Sequence, residues 1–319
     1  RRVGNNLPSR MADNFFWLGR YAERAASLAR LLRSALQRFA PESSGHASIV
    51  LAPLLDTLEA RGQVGGSKDQ PDIRENPEAL EADLLAAIFD PDRPGSLRAI
   101  AEKLQRLAVL VRDRTSNEVW RVLSSLDDML ARPATRPMLT GDAVGILHQA
   151  MITLAAFSGL ARENMTRAHG WRFLDMGRRV ERGIAIARLA GGLLAGPAGQ
   201  NELALKLLLE LCDSTITHRT RYPAEPRPAS VLDLVLGDPA NPRGLLFQLR
   251  RLYEHLEALA KDGGAVPALH AAASLADRVT DFAFARIEAG DDRVELAPVL
   301  SLVDLVAQRL MGISDSIAR

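Results

Sequence analysis

The chain has 319 residues, 47% of them apolar, and 40 basic against 39 acidic side chains give a formal charge of +1. So balanced a charge offers no long-range field for nucleic acid, and 5% aromatics leave little surface on which bases could stack. A single cysteine, Cys212, excludes an internal disulfide framework and a cysteine-rich metal site, and no run approaching eighteen apolar residues predicts a membrane span.

The chain opens RRVGNNLPSR, with neither Met nor the pattern of a signal peptide, which suggests a fragment of a longer polypeptide in a reducing compartment. Phe15, Leu18, Ala22, Ala25, Ala29, Leu32, Leu36 and Phe39 then step by three and four and predict a helix over 10–39. Helices are expected next over 46–61, 77–89, 95–114, 116–131 and 140–167, with a Gly-, Pro- and charge-rich loop over 61–77. Pro41, Pro91, Pro133 and Pro137 fall between these helices.

The stretch RENMTRAHGWRFLD at 162–175 places Arg167, His169, Trp171, Arg172 and Asp175 at a helix junction. Ordinary helix-end chemistry accounts for His169 there. In the second half, helices are expected over 170–195, 200–219, 228–237, 242–262, 265–288 and 293–317, with Pro197 and Pro223 between them. Phe173, Met176, Val180, Gly183, Ala187, Ala190 and Leu194 keep the helical step. Small residues at 22, 25 and 29, and at 183, 187 and 190, would let another helix approach closely. The string DSTITHRTRY at 213–222 ends a helix with His218, Arg219, Arg221 and Tyr222, where basic groups suit the helix dipole. Arg243, in the DPANPR stretch beyond, joins the polar candidates.

Residues 15–31, FFWLGRYAERAASLARL, return at 173–189 as FLDMGRRVERGIAIARL. Phe15/Phe173, Gly19/Gly177, Arg20/Arg178, Glu23/Glu181, Arg24/Arg182, Ala29/Ala187, Arg30/Arg188 and Leu31/Leu189 are identical, eight in seventeen, where unrelated sequence gives about one. Residues 84–97 and 232–245 share D-P-x-x-P-x-x-L, through Asp90/Asp238, Pro91/Pro239, Pro94/Pro242 and Leu97/Leu245. The pattern predicts an all-α fold. It is a multi-helix bundle built from two tandem, pseudo-twofold-related repeats, 1–168 and 169–319, sharing one continuous core.

Arg20, Glu23 and Arg24 lie at i, i+3 and i+4 on one stripe of the first helix, as do Arg178, Glu181 and Arg182 in the second copy. As a solvated pair such an arrangement is worth only a few tenths of a kcal/mol. Its return beside the changes Trp17 to Asp175 and Tyr21 to Arg179 points to a buried or cleft-lining role. Two roles remain open: a brace between helices, or one arginine paired with Glu and the other left for a carboxylate or phosphate. No phosphate-cradling glycine loop, H-E-x-x-H, C-x-x-C or G-x-S-x-G is present, and the six histidines show no metal spacing.

NLPSRMADNFFWLGRYAERAASLARLL, RENMTRAHGWRFLDMGRRVERG, DSTITHRTRY and VLDLVLGDPANPRGLLFQL together resemble the bacterial alpha-E family, an α-helical domain with a repeated Glu-Arg motif. The motif falls on Glu23-Arg24 and Glu181-Arg182, and the resemblance runs from about Asn6 to the last helix. It lends no catalytic activity and no metal or cofactor of this chain's own. It implies a partner, a circularly permuted ATP-grasp carboxylate–amine ligase, fused or neighbouring, which would use ATP and magnesium. A transglutaminase-like protein is a further implied companion, in a cytoplasmic system that makes or modifies a peptide. The implied role is a helical accessory module. The rivals are a bundle that is itself an enzyme through its Glu-Arg pairs, and a pure scaffold.

Overall fold

The computed structural model describes residues 7–39, 46–65, 73–131, 138–195, 202–222, 224–261, 266–282 and 296–317. The opening hexapeptide, the centre of the 61–77 loop, Pro41, Pro133, Pro137, Pro197, Pro223 and the end of the helix expected to reach 288 lie outside the described residues. Among the described residues there is no strand, and thirteen α-helices follow one another. The chain divides into two compact units, Arg1–Trp171 and Arg172–Arg319.

In the first unit the helices are α1 (Ser9–Arg38), α2 (His46–Ala60), α3 (Pro77–Phe89), α4 (Leu97–Leu110), α5 (Asn117–Leu130) and α6 (Thr140–Asn164). The α1 stripe anticipated from periodicity, Phe15 through Phe39, is buried throughout. Each large apolar side chain on it contributes roughly 1.5–3 kcal/mol on leaving water. Helix α1 packs on α4 and α6, α4 on α5, and α5 on α6, closing a four-helix ring with α2 and α3 beside α1.

Local chemistry sets the ends. Asn76 caps α3 by accepting from the backbone N–H of Glu78 and Ala79, both at 3.1 Å, and Pro77 opens the first turn. After α3 the Asp90 carboxylate accepts from Asp92 N–H at 2.9 Å, which turns the chain towards α4. Helix α2 ends in a Schellman motif. Gln63 N–H donates to Leu58 O at 2.9 Å, Gly62 N–H donates to Glu59 O at 2.8 Å, and Gly62 sits at φ 66. The helix expected over 95–114 stops at Leu110, and a 3₁₀ turn, Arg112–Arg114, follows it.

The second unit is built on α7 (His169–Ala195), followed by α8 (Glu202–Leu211), α9 (Thr215–Arg221), α10 (Pro228–Leu232), α11 (Leu245–Ala260), α12 (Val266–Asp281) and α13 (Leu296–Ile317). Helix α11 packs on α12, and α12 on α13. Gly183 lets α13 and α11 close on α7: a Cβ there would stand 2.7 Å from Leu310 and 3.8 Å from Leu245. The expected 200–219 helix is two helices. Asp213 takes the left-handed φ of 52, Ser214 N–H donates to Leu209 O at 2.8 Å and Asp213 N–H to Glu210 O at 2.9 Å, again a Schellman stop. A π-helical turn, Asp233–Gly237, continues α10 where an ordinary helix was expected.

Two helices, α6 and α13, are long and apolar enough by length and composition to cross a membrane, which the run-based reading of the sequence passed over. Each lays an apolar stripe inside its own unit, with Leu147, Leu154 and Phe157 on α6 and Val303, Val306 and Leu310 on α13 buried.

Candidate functional site

The Glu-Arg stripes are not solvated faces. Glu23 is 6% exposed, Glu181 8% and Arg20 8%, while Arg24, Arg178 and Arg182 are half-buried. Their helical spacing fixes this: Glu23 and Glu181 fall beside the apolar positions Ala22 and Val180 that face the bundle interior.

In the first unit the stripe carries aromatic rings. Trp17 and Tyr21 lie 5.6 Å apart at 33°, with the Arg20 guanidinium over Trp17 at 4.9 Å. Arg24 lies over Tyr21 at 5.2 Å, and Lys103 of α4 approaches the same ring at 5.4 Å. Such contacts hold cations by the ring quadrupole.

In the second unit the matching positions are ionic. Asp175 is 4% exposed and accepts from Arg179 twice, Nε to Oδ2 at 3.0 Å and Nη2 to Oδ1 at 2.9 Å. His255 of α11, 5% exposed, donates from Nε2 to Asp175 Oδ2 at 2.8 Å, since the carboxylate can only accept. Arg178 reaches Asp175 Oδ1 at 3.6 Å. Burial opposes charge on Asp175, but the His255 hydrogen bond and the Arg179 and Arg178 charges overcome it and hold the carboxyl far below the usual carboxylate range. Burial pulls Arg179 below its ordinary value against the attraction of Asp175, and Arg182 and Arg178 add repulsion.

Gln248 closes the network. Its Oε1 accepts from Arg179 Nη1 at 3.0 Å, and its Nε2 donates to Pro242 O and Gly244 O, both at 2.9 Å. Arg182 Nη1 donates to the same Pro242 carbonyl at 3.2 Å. The D-P-x-x-P loop is thereby tied to the arginines of α7. Phe247 lies under the guanidinium groups of Arg179 and Arg251, at 5.5 and 5.2 Å.

Beside this centre, the DSTITHRTRY segment is fastened to the segment around the π turn. His218 Nε2 pairs with Ser230 Oγ at 2.9 Å, and burial pushes its imidazole below the ordinary value. Tyr222 donates to Asp233 Oδ2 at 2.6 Å, and its phenol is pushed up to about 12 by burial, this bond and the Asp233 charge. Arg221 pairs with Asp238, whose other oxygen accepts from Ala240 N–H at 2.7 Å. Asn241 Nδ2 donates to Ser214 Oγ at 3.1 Å and Leu234 O at 2.9 Å. Arg243 meets Asp213 at 3.3 Å.

The sequence candidates therefore separate. Asp175, Arg178 and Arg182 join one network in the second unit, and Arg221, Tyr222 and Arg243 join the neighbouring one. Arg219 is exposed. Arg167 closes the end of α6, donating to Met165 O at 3.0 Å and Arg162 O at 2.5 Å, and lies over Trp171 at 4.4 Å. His169 is half-buried in the first turn of α7. Sequence reasoning missed His255, Gln248 and Asn241, all buried. Among the described residues no group of three or more His, Cys, Asp or Glu is placed to hold a metal ion.

A family model, Alpha-E, described as a predicted alpha-helical domain with a conserved ER motif, matches residues 7–319. The chain is 31% identical over 271 residues to the uncharacterized protein Rv2567 of Mycobacterium tuberculosis and, to the same degree, to the uncharacterized protein Mb2597 of Mycobacterium bovis. Those alignments take in 80% of this chain but 30% of each relative's length. No solved structure matches the chain.

Proposed function

The chain belongs to the Alpha-E family, and from that premise we propose that it is a helical accessory module of a peptide-making or peptide-modifying system. It works with a circularly permuted ATP-grasp carboxylate–amine ligase in the cytoplasm. ATP and magnesium serve that ligase, and a transglutaminase-like protein is a second companion. The module's part is to receive an anionic substrate or peptide at a Glu-Arg centre. We take the two units as duplicated copies, in keeping with the shared blocks of sequence.

The observation that carries the reading is the burial of the motif's glutamate in each unit, beside arginines that are buried or half-buried. The guanidinium fork suits a carboxylate or phosphate. The length of the mycobacterial relatives supports a region that works within a larger polypeptide, since the aligned part is 30% of each.

The experiment is reconstitution: the ligase is assayed for ATP-dependent peptide-bond formation with and without this chain. Ligation should require the chain or rise at least about tenfold with it, an effect of about 1.4 kcal/mol on the barrier. An unchanged rate removes the accessory role. A second reading, that the bundle is itself catalytic, draws on the Asp175–His255 pair, because a carboxylate that orients an imidazole is an acid–base unit. That reading needs turnover by this chain alone, abolished in His255→Gln.

A further inference from the structure

We propose that one end of the first unit is an attachment surface for an anionic lipid bilayer, with Val109 and Leu110 entering the interface and the arginines at the neighbouring helix ends meeting the headgroups. This goes beyond the proposed function and does not rest on it.

Several helix ends meet there. Helix α4 closes at Leu110, the 3₁₀ turn Arg112–Arg114 follows, and α5 opens at Asn117. Asn164, the last residue of α6, donates from Nδ2 to Ser116 Oγ at 3.4 Å, which sets the close of α6 beside the start of α5. The chain then runs to Gly170, where a Cβ would stand 3.0 Å from the Phe15 ring, so the opening turns of α1 lie at this end too.

Val109 and Leu110 are 56% and 55% exposed, on the last turn of α4. Among the described residues they are the only two exposed large apolar side chains adjacent in sequence. Apolar residues exposed singly are ordinary, whereas exposed apolar surface rimmed by charge marks a contact with a protein or a membrane.

The charges are sorted along the bundle. Leaving histidine aside, residues 103–121 and 162–171, at this end, hold ten charged side chains, of which seven are basic. The opposite end, where α4 and α6 begin and α5 closes, reverses the sign: seven of the nine charged side chains in 81–98, 127–131 and 138–142 are acidic. A chain of net charge +1 thus carries a unit with one cationic and one anionic end. The cations reach solvent, with Arg106 73% and Arg114 52% exposed, and their surface pairs with Glu102 and Asp113 are weak. Helix dipoles account for Arg112, just beyond α4, and Arg162, at the close of α6. They do not account for Arg121, near the start of α5 where a dipole favours acids, or for the exposed Val109 and Leu110.

All three tryptophans of the chain belong to this unit, half-buried, and each has a guanidinium over its ring. Arg20 lies on Trp17 and Arg112 on Trp120, both at 4.9 Å, and Arg167 on Trp171 at 4.4 Å. Tryptophan and arginine together suit the headgroup level of a bilayer, where aromatic rings and snorkelling cations gather. They also suit protein contacts, so size decides. A stable protein interface needs about 800 Å² per partner around a well-packed apolar core, and two aliphatic side chains make too small a core. Reversible attachment to a bilayer needs only a shallow apolar insertion backed by several cations. The anionic end then faces away from the lipid.

The test uses the full chain with vesicles of phosphatidylcholine alone and of phosphatidylcholine mixed with an equal part of phosphatidylglycerol. Binding is followed by co-sedimentation and by tryptophan emission, with circular dichroism to confirm that each variant folds. Wild type should bind the anionic vesicles at least about tenfold more tightly than the neutral ones, lose that preference as salt rises, and shift its emission to the blue. Leu110→Glu should weaken anionic binding at least about tenfold, and so should Arg114→Gln combined with Arg121→Gln. Ile216→Glu, the same kind of change at a 79% exposed position of the second unit, should alter it by no more than about twofold. Equal binding to both vesicles, or binding to neither, overturns the proposal. Binding without any change in tryptophan emission, or equal losses in Leu110→Glu and Ile216→Glu, places the contact elsewhere and overturns it as well. Binding of soluble polyglutamate with no binding to vesicles replaces the bilayer with an acidic protein partner.

Discussion

Asp175 carries a large electrostatic stake. Its carboxylate is buried, paired twice with Arg179 and once with His255. Removing one member of such a network leaves the others without a counter-charge, at a cost of about 3–5 kcal/mol. Asp175→Asn should lose that much in urea unfolding at pH 7. The pH dependence has a definite sign. The folded carboxyl titrates far below an unfolded aspartate, whose pKa is about 3.9. The contribution of Asp175 is therefore complete above about pH 5 and fades as pH falls through 4 and below. The gap between wild type and Asp175→Asn should be widest near neutrality and narrow in acid. A gap that stays constant down to pH 3 would count against the ionic account. Glu23 offers the parallel test in the first unit: it is 6% exposed, and Arg20 lies one turn before it. Glu23→Ala should cost about 3–5 kcal/mol, whereas a loss under about 1 kcal/mol would mark a screened surface pair.

At the scale of elements, the sequence showed helices well and their stops unevenly. The α1 and α7 stripes were legible because apolar residues recur every three or four positions for about six turns. The end of α2 was legible too, since Gly62 supplies the left-handed residue that a Schellman stop requires. The break between α8 and α9 was not, because Asp213 fills the same role without being Gly or Asn, and apolar periodicity runs on through Ile216. Gly62 gives a clean measurement. A Cβ there would meet nothing within 4 Å, so Gly62→Ala changes only the backbone preference at φ 66. The expected loss is about 1–2 kcal/mol by thermal unfolding. Gly183 tests packing instead, since a Cβ would press on Leu310 at 2.7 Å. Gly183→Ala should lose about 1–3 kcal/mol through overpacking of α7 against α13. A neutral result would show that Leu310 moves aside freely.

Over the whole molecule, the candidate site was half legible. The return of G-R-x-x-E-R singled out a stripe on α1 and α7 whose glutamates are buried. It gave no hint of Gln248 and His255, which stand 69 and 80 residues from the partners they bond. A signal was nevertheless present: on α11 the steps Leu245, Gln248, Leu249, Leu252, His255 and Leu256 follow one buried stripe, and the polar members sit where leucine would be expected. In the first unit Leu97, Ile100, Ala101, Leu104 and Ala108 keep that register in apolar form, with Leu107 at the place of His255. The comparison leads to the last prediction. Transplanting the first unit's residues as a set, Asp175→Trp, Arg179→Tyr, Gln248→Ile and His255→Leu, removes the four mutually bonded side chains at once, and Arg178, which gives up its 3.6 Å contact with Asp175, is half-buried and reaches solvent. Replacing a whole buried ionic group in this way is commonly neutral or stabilising by about 1–4 kcal/mol, while breaking it singly costs several. The four-residue variant should therefore unfold at equal or higher urea concentration than wild type, although Asp175→Asn alone unfolds earlier. Their combination is strongly non-additive, as contact between the four side chains requires. If the set is instead as damaging as the sum of its parts, the network is a structural necessity of the second unit, and its absence from the first reflects a different packing of the helices there.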